Sequence, residues 1–251
     1  MQNVDEFLLY LKNEKGFSEH TIKNYGIDLD EFYDYAQNKK IDIELIRKYL
    51  KHLYDNNYKN RTISRKVSSL KSYFKYLESE GIIDDNPMSL ISNPKIEKTL
   101  PNYLNYNDLE KLLSYPDTNK KNGLRDALIL EMLYSSGCRV SELSNIKIKD
   151  INFKDRKILI LGKGNKERYV YYGSKCENLL NKYLKNETHE YLFTNKHGNK
   201  LNERMIRKIV DENARRAGLE VHVTPHTLRH TYATHLLNDG ADLKSVGDLL
   251  G

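Results

Sequence analysis

"RTISRKVSSLKSYFKYLESEG", Arg61–Gly81, reads as one amphipathic helix. Ile63, Val67, Leu70, Phe74 and Leu77 recur at steps of four and three, which draws a single apolar stripe at the helical period. Arg61, Arg65, Ser68 and Ser72 line up on a different face. A helix of this kind packs its stripe inward and offers cations and hydroxyls to phosphates outside. From Lys59 to Lys75 there are six basic residues and no acidic one. A concentrated basic patch between acidic flanks fits a polyanion, and nucleic acid is the commonest. A plain solvated face is the alternative for this segment taken alone.

Upstream the pattern stays helical. "NVDEFLLYLKNEKG" is a short amphipathic helix stopped by Gly16. "SEHTIKNYGIDLDEFYDYAQ" repeats apolar residues at Ile22, Tyr25, Leu29, Phe32 and Ala36, and "IELIRKYLKHLYDN" is a third helix. Downstream, Pro87, Pro94 and Pro101 break a stretch without periodicity, which reads as a linker. The expected organisation is a helical domain over 1–88, a linker over 89–102 and a second domain over 103–251. The second part is helical again, except for "RKILILGKGNKERYVYYG". There two β-rich runs, Lys157–Leu161 and Arg168–Tyr172, flank a Gly/Asn/Lys turn and predict a hairpin. The fold class is therefore mainly α, with a small β-hairpin or sheet in the second domain.

Composition narrows the function. Charged residues make up 30% of the 251 and hydrophobic ones 39%, which is ordinary for a chain that builds cores in water. No apolar run approaches membrane-spanning length, and Asp5 and Glu6 stand where a signal peptide would be basic. Two cysteines, Cys138 and Cys176, make no disulfide framework and fit a reducing compartment, so the expected location is cytoplasmic. The net charge of +6 is uneven: residues 1–100 hold 16 basic and 16 acidic residues, so the excess lies in 101–251.

Three segments of the second part carry chemistry. In "TPHTLRH", Thr224 suits a helix N-cap and Pro225 the first helical position. His226, Arg229 and His230 then share a face at the mouth of the helix, where free N–H groups and the helix dipole attract anions. An arginine there can fork two hydrogen bonds onto phosphate oxygens. A zinc pair at His226 and His230 is disfavoured, because Thr227 stands where HExxH has glutamate and no third ligand is evident. In "SSGCRVSEL", a helix ends at Gly137, Arg139 sits in the turn, Ser141 opens a short helix, and Glu142 is placed to hold the Arg139 guanidinium. In "GKGNKER", Lys163 lies between two glycines on the hairpin turn, and no Walker A pattern accompanies it. Helix capping, an arginine–carboxylate pair and a solvated lysine are the structural alternatives for the three.

Together and in this order, these words resemble the tyrosine recombinase (phage integrase) family. That family's pattern is an arginine in G-x-R-x-S-E-L, a lysine on a β-hairpin, H-x-x-R, L-G-H and then a tyrosine. The matches are Arg139 in "GCRVSEL", Lys163 in "GKGNKER", and His226 with Arg229 in "HTLRH". "GKGNKER" and "ATHLLNDGADL" are most similar to the Xer branch. The resemblance implies a two-domain DNA clamp that cuts and rejoins strands through a 3′-phosphotyrosine, with no cofactor and no metal. Arg139 and Arg229 would clamp the non-bridging oxygens, Lys163 would protonate the departing 5′-oxygen, His226 would assist the nucleophile, and Glu142 would orient Arg139. His230 is read as packing or as an outer hydrogen-bond partner.

The DNA contacts expected are Arg61, Arg65, Lys66 and Lys71 on the first domain, and Lys166, Arg168, Arg204 and Arg207 on the second. The implied partner is double-stranded DNA with an inverted-repeat site, bound by a tetramer on two sites, with or without a paralogous recombinase. Chromosome dimer resolution is favoured, since no arm-binding domain precedes residue 1. A mobile-element integrase, a type IB topoisomerase-like relaxase and a non-catalytic DNA-binding protein are the alternatives. The 251 residues stop at Leu250-Gly251, before the family's last histidine and its tyrosine. The expectation is thus a truncated, monomeric chain that binds DNA without cleaving it.

Overall fold

The computed structural model describes residues 2–37, 39–96, 102–162, 167–185 and 189–251. The chain divides into two compact units, Met1–Thr99 and Leu100–Gly251.

The first unit is a bundle of four helices: α1 (Gln2–Asn13), α2 (Glu19–Ala36), α3 (Ile43–Asp55) and α4 (Asn60–Ser79). Ser18 and Asp42 cap α2 and α3 by accepting the N–H groups of Thr21 and Leu45, which satisfies donors the helix leaves free. The stripe of α4 is buried as its spacing demands: Ile63, Val67, Leu70, Phe74 and Leu77 are all in the core. They pack with Phe7, Leu29, Phe32, Ile46 and Tyr49. Met88 and Ile91 close the same core, so the chain still packs against this unit at residue 91.

One polar knot crosses this apolar bundle. The Asp28 carboxylate has a side-chain exposure of zero and accepts from Arg65, from Lys66 Nζ at 3.2 Å and from Ser69 Oγ at 2.8 Å. Lys66 Nζ also donates to Glu31 at 2.6 Å. A buried carboxylate needs this many donors, because burial strips its water. Lys66 therefore departs from the expected DNA contact: its side chain is 2% exposed and serves α2. The helical period explains it. Residue 66 lies three after Ile63 and four before Leu70, so it faces the core with them.

The second unit is built on α6 (Lys121–Ser136), whose residues Ala127–Leu133 are all buried. Helices α5 (Tyr106–Ser114), α8 (Ser174–Leu184), α9 (Glu203–Arg216) and α10 (Pro225–Asn238) pack around it. A helix buried all the way round over two turns has to be central. Two shorter α-helices are α7 (Val140–Asn145) and α11 (Leu243–Leu250), and Ile148–Asp150 forms a 3-10 turn. An antiparallel sheet of order β1-β2-β3 completes the unit, with β1 Ile151–Asn152, β2 Lys157–Leu161 and β3 Glu167–Tyr171. The hairpin is the expected one, with its second strand one residue earlier because Glu167 pairs with Leu161. The third strand, two residues long, has no sequence pattern to announce it. The face carrying Ile158, Ile160 and Val170 is buried.

Helix α10 also anchors the segment that enters this unit. Thr231 Oγ1 accepts the Leu104 N–H at 2.9 Å, and His235 Nε2 lies 3.0 Å from the Leu104 carbonyl. No helix among the described residues is long and apolar enough to cross a membrane.

Candidate active site

The site begins where α6 stops. Gly137 ends that helix in the left-handed region, at φ 60°. A Cβ added there would lie 2.5 Å from Tyr232 Cδ1 and 2.9 Å from Leu250 Cδ2. Both conformation and space thus require glycine. Gly137→Ala is expected to destabilise the second unit by more than about 2 kcal/mol, combining left-handed strain with displacement of the Tyr232 ring. A urea midpoint unchanged from wild type would contradict this.

The turn delivers Arg139 to the N-cap position of α7. Glu142, at the third position of that helix, accepts the Arg139 backbone N–H at 2.7 Å with Oε2. Its Oε1 accepts Arg139 Nη1 at 2.9 Å. The same carboxylate takes a second guanidinium: Arg168 donates Nη1 to Oε1 at 2.8 Å and Nη2 to Oε2 at 2.9 Å. Glu142 is buried, with a side-chain exposure of 3%. Burial pushes its pKa up, but the bonds from Arg168 and Arg139 outweigh that and leave it below its ordinary value. Beside it, burial pushes the Cys138 thiol up to about 11, so it is an inert core residue.

The other half of the site is the start of α10. Thr224 caps the helix by accepting the Thr227 N–H, and Pro225 occupies the first turn, as their order predicts. Arg229 reaches back to the α6 turn, donating Nη1 to the Gly137 carbonyl at 2.7 Å and Nη2 to the Leu250 carbonyl at 2.9 Å. Arg139 Nη2 donates to the Gly251 carbonyl at 2.6 Å. Burial, then the nearby charge of Arg139, pushes the Arg229 pKa down, though a guanidinium so placed stays charged. Arg139, Arg229 and the exposed His226 line one cavity of about 580 Å³, together with Val140, Thr224, Pro225 and Arg207. Two guanidiniums that converge on one opening beside a helix N-terminus have the chemistry to hold a phosphate.

The structure thus brings Arg139, Glu142, His226 and Arg229 together, while Lys163 and Lys166 lie outside the described residues. Arg204 and Arg207 are exposed on α9, and Arg207 pairs with Glu203 at 2.6 Å. On α4, Arg61 is exposed and Lys71 half-buried. Arg65 has a side-chain exposure of 41% while it holds Asp28. Arg168 departs from the expected free DNA contact. Its side chain is 17% exposed, and both its Nη atoms are bound to Glu142. Strand alternation carries the signal for this: Arg168 shares the inward face with Val170, and a charge on a buried face needs a partner. Placement of Arg207 at the arginine pair had no sequence signal, since α9 is more than sixty residues from Arg139. Among the described residues, no group of three or more His, Cys, Asp or Glu could hold a metal ion.

Comparison with known proteins fits this geometry. Residues 102–251 match the phage integrase family, and residues 4–81 match the phage integrase N-terminal SAM-like domain. The chain belongs to the phage integrase family, the tyrosine recombinases. It is 41% identical to tyrosine recombinase XerC of Oceanobacillus iheyensis, covering 99% of this chain and 87% of the relative. It is 38% identical to tyrosine recombinase XerC of Bacillus subtilis, covering 100% and 89%. Among solved structures, XerH site-specific recombinase bound to palindromic difH substrate matches with a TM-score of 0.78 at 26% identity, over 99% of this chain and 77% of that one. A lambda integrase tetramer bound to a Holliday junction matches with a TM-score of 0.80 at 18% identity, over 99% and 76%, which shows a shared fold.

Proposed function

We propose that this chain is an Xer-type site-specific DNA recombinase that resolves chromosome dimers. The observation that carries the reading is the convergence of Arg139 and Arg229 on the cavity that His226 also lines. In the family's chemistry a tyrosine oxygen bonds to a DNA phosphorus while the bond from phosphorus to the 5′-oxygen breaks. Negative charge then gathers on the two non-bridging oxygens, and fixed, planar, always-charged guanidiniums stabilise it best. Lys163 donates a proton to the leaving 5′-oxygen, and His226 assists the attacking hydroxyl. The phosphotyrosine keeps the bond energy, so the reverse attack reseals the strand without a cofactor.

The partner is duplex DNA with an inverted-repeat site, and XerH in complex with difH supports that choice. The working assembly is a tetramer on two sites, formed with or without a paralogous recombinase, and the setting is the cytoplasm. The phosphate contacts of this reading are Arg61, Lys71, Lys166, Arg204 and Arg207.

The test is binding to a nicked duplex that carries the inverted-repeat site, against a scrambled duplex at matched salt. Preference for the site supports the reading, and equal affinity would overturn it. Arg61→Ala and Arg204→Ala should each flatten the log–log salt slope by about 0.9, one phosphate contact apiece. Lys66→Met should leave that slope unchanged, because Lys66 is buried against Asp28 and Glu31.

A further inference from the structure

Arg168 sits at the second position of β3, paired across the sheet with Ile160. Both its Nη atoms are bound to Glu142, and its Nε is buried without a hydrogen-bond partner. It is absent from the lining of the phosphate cavity, whereas Arg139, held by the same carboxylate, lines it. Two arginines thus share one anion, and only one of them faces the cavity.

The charge balance gives this arrangement a purpose. A glutamate paired with Arg139 alone would cancel the charge that has to meet a phosphate, since opposite charges in contact largely offset each other's field. With Arg168 on the same carboxylate, the three groups together carry one net positive charge. The carboxylate then aims Arg139 without neutralising it. The bidentate fork also fixes the plane of Glu142, and through it the direction of Arg139 Nη1. The field of Arg168 reaches Arg229 as well, as one of the charges that push that group's pKa down after burial and Arg139.

We propose that Arg168 is a positioning residue of the recombinase: it holds and charge-balances Glu142 so that Arg139 grips the phosphate at the cleavage point. The inference rests on the function proposed above. It assigns Arg168 no contact with DNA.

The experiment uses duplexes in which single phosphates of the recombination site are replaced, one at a time, by neutral methylphosphonate. In wild type, one position near the cleavage point should weaken binding by about tenfold, the weight of a charge-assisted hydrogen bond. Arg139→Ala should cut that penalty to the part that Arg229, on the same phosphate, still supplies. Arg168→Gln should cut it to less than about threefold while the salt slope is kept, and the double variant should go no further than Arg139→Ala. Arg168→Lys keeps the charge and loses the fork, so it should give an intermediate penalty. It is the variant to read if the glutamine form does not fold.

Three outcomes overturn the inference. One is a full penalty in both Arg168 variants, which leaves the residue a purely structural role. A second is a double variant that loses more than Arg139→Ala, together with a salt slope flatter by about 0.9, the mark of a direct phosphate contact. The third is a wild type with no sensitive position, and that one removes the phosphate-clamp reading itself.

Discussion

Glu142→Ala is expected to destabilise the second unit by about 3–5 kcal/mol, the usual cost of removing one partner from a buried ionic cluster. The carboxylate accepts four hydrogen bonds, three from two guanidiniums and one from the Arg139 backbone. Its loss leaves Arg139 and Arg168 facing each other, with Arg229 near both. Glu142→Gln keeps the shape and loses the charge, so it should cost less than alanine. Amide hydrogen exchange in α7 and β3 reads this locally, because those elements carry the groups that Glu142 joins. The pH dependence has a fixed sign. The folded-state pKa of Glu142 lies below its ordinary value, despite burial, because of Arg168 and Arg139. The folded protein therefore binds fewer protons here than the unfolded chain does. The stabilisation is complete above the ordinary glutamate pKa and drains away as pH falls through the depressed one. Glu142→Gln should flatten that acid limb of stability, and an unchanged limb would show that other carboxylates govern it.

The elements of this fold were legible where one periodicity ran long enough. The α4 stripe and the β2–β3 hairpin are both of that kind, and β1 was not, because two residues cannot show alternation. The Arg139, His226 and Arg229 positions were legible for a different reason. Each sits beside a local punctuation mark, Gly137 before the first and the Thr224-Pro225 cap before the others. What the sequence hid was who pairs with whom. By charge alone Lys66 and Arg168 read as outward cations, yet their own helical and strand phases point inward. Charge favours the surface only while no buried partner exists, and Asp28 and Glu142 are such partners. Those acids lie 38 and 26 residues away in the chain, beyond the reach of any local pattern. Phase is the better guide for a charged residue when phase and polarity disagree.

Arg139→Lys is expected to slow phosphotyrosine formation by roughly 10³-fold, as loss of a transferring-phosphate clamp does elsewhere. The measurement is single-turnover capture of a nicked duplex by the recombinase with the family's tyrosine in place. Lysine keeps the charge, so a purely long-range attraction would survive the change. It has no planar fork, so it cannot hold Glu142 and a phosphate oxygen at fixed angles together. Duplex affinity should fall by less than about tenfold, because this is one phosphate contact among several. A large rate loss with a small binding loss marks an interaction made mainly in the transition state. Arg229→Lys should show the same split, with an added stability cost, since Arg229 also ties the Gly137 carbonyl to that of Leu250. On the proposed clamp the two losses should not multiply in the double variant, because both guanidiniums would serve the same developing charge. A rate within tenfold of wild type for Arg139→Lys would mean that charge alone suffices there, and the forked clamp would then belong to Arg229.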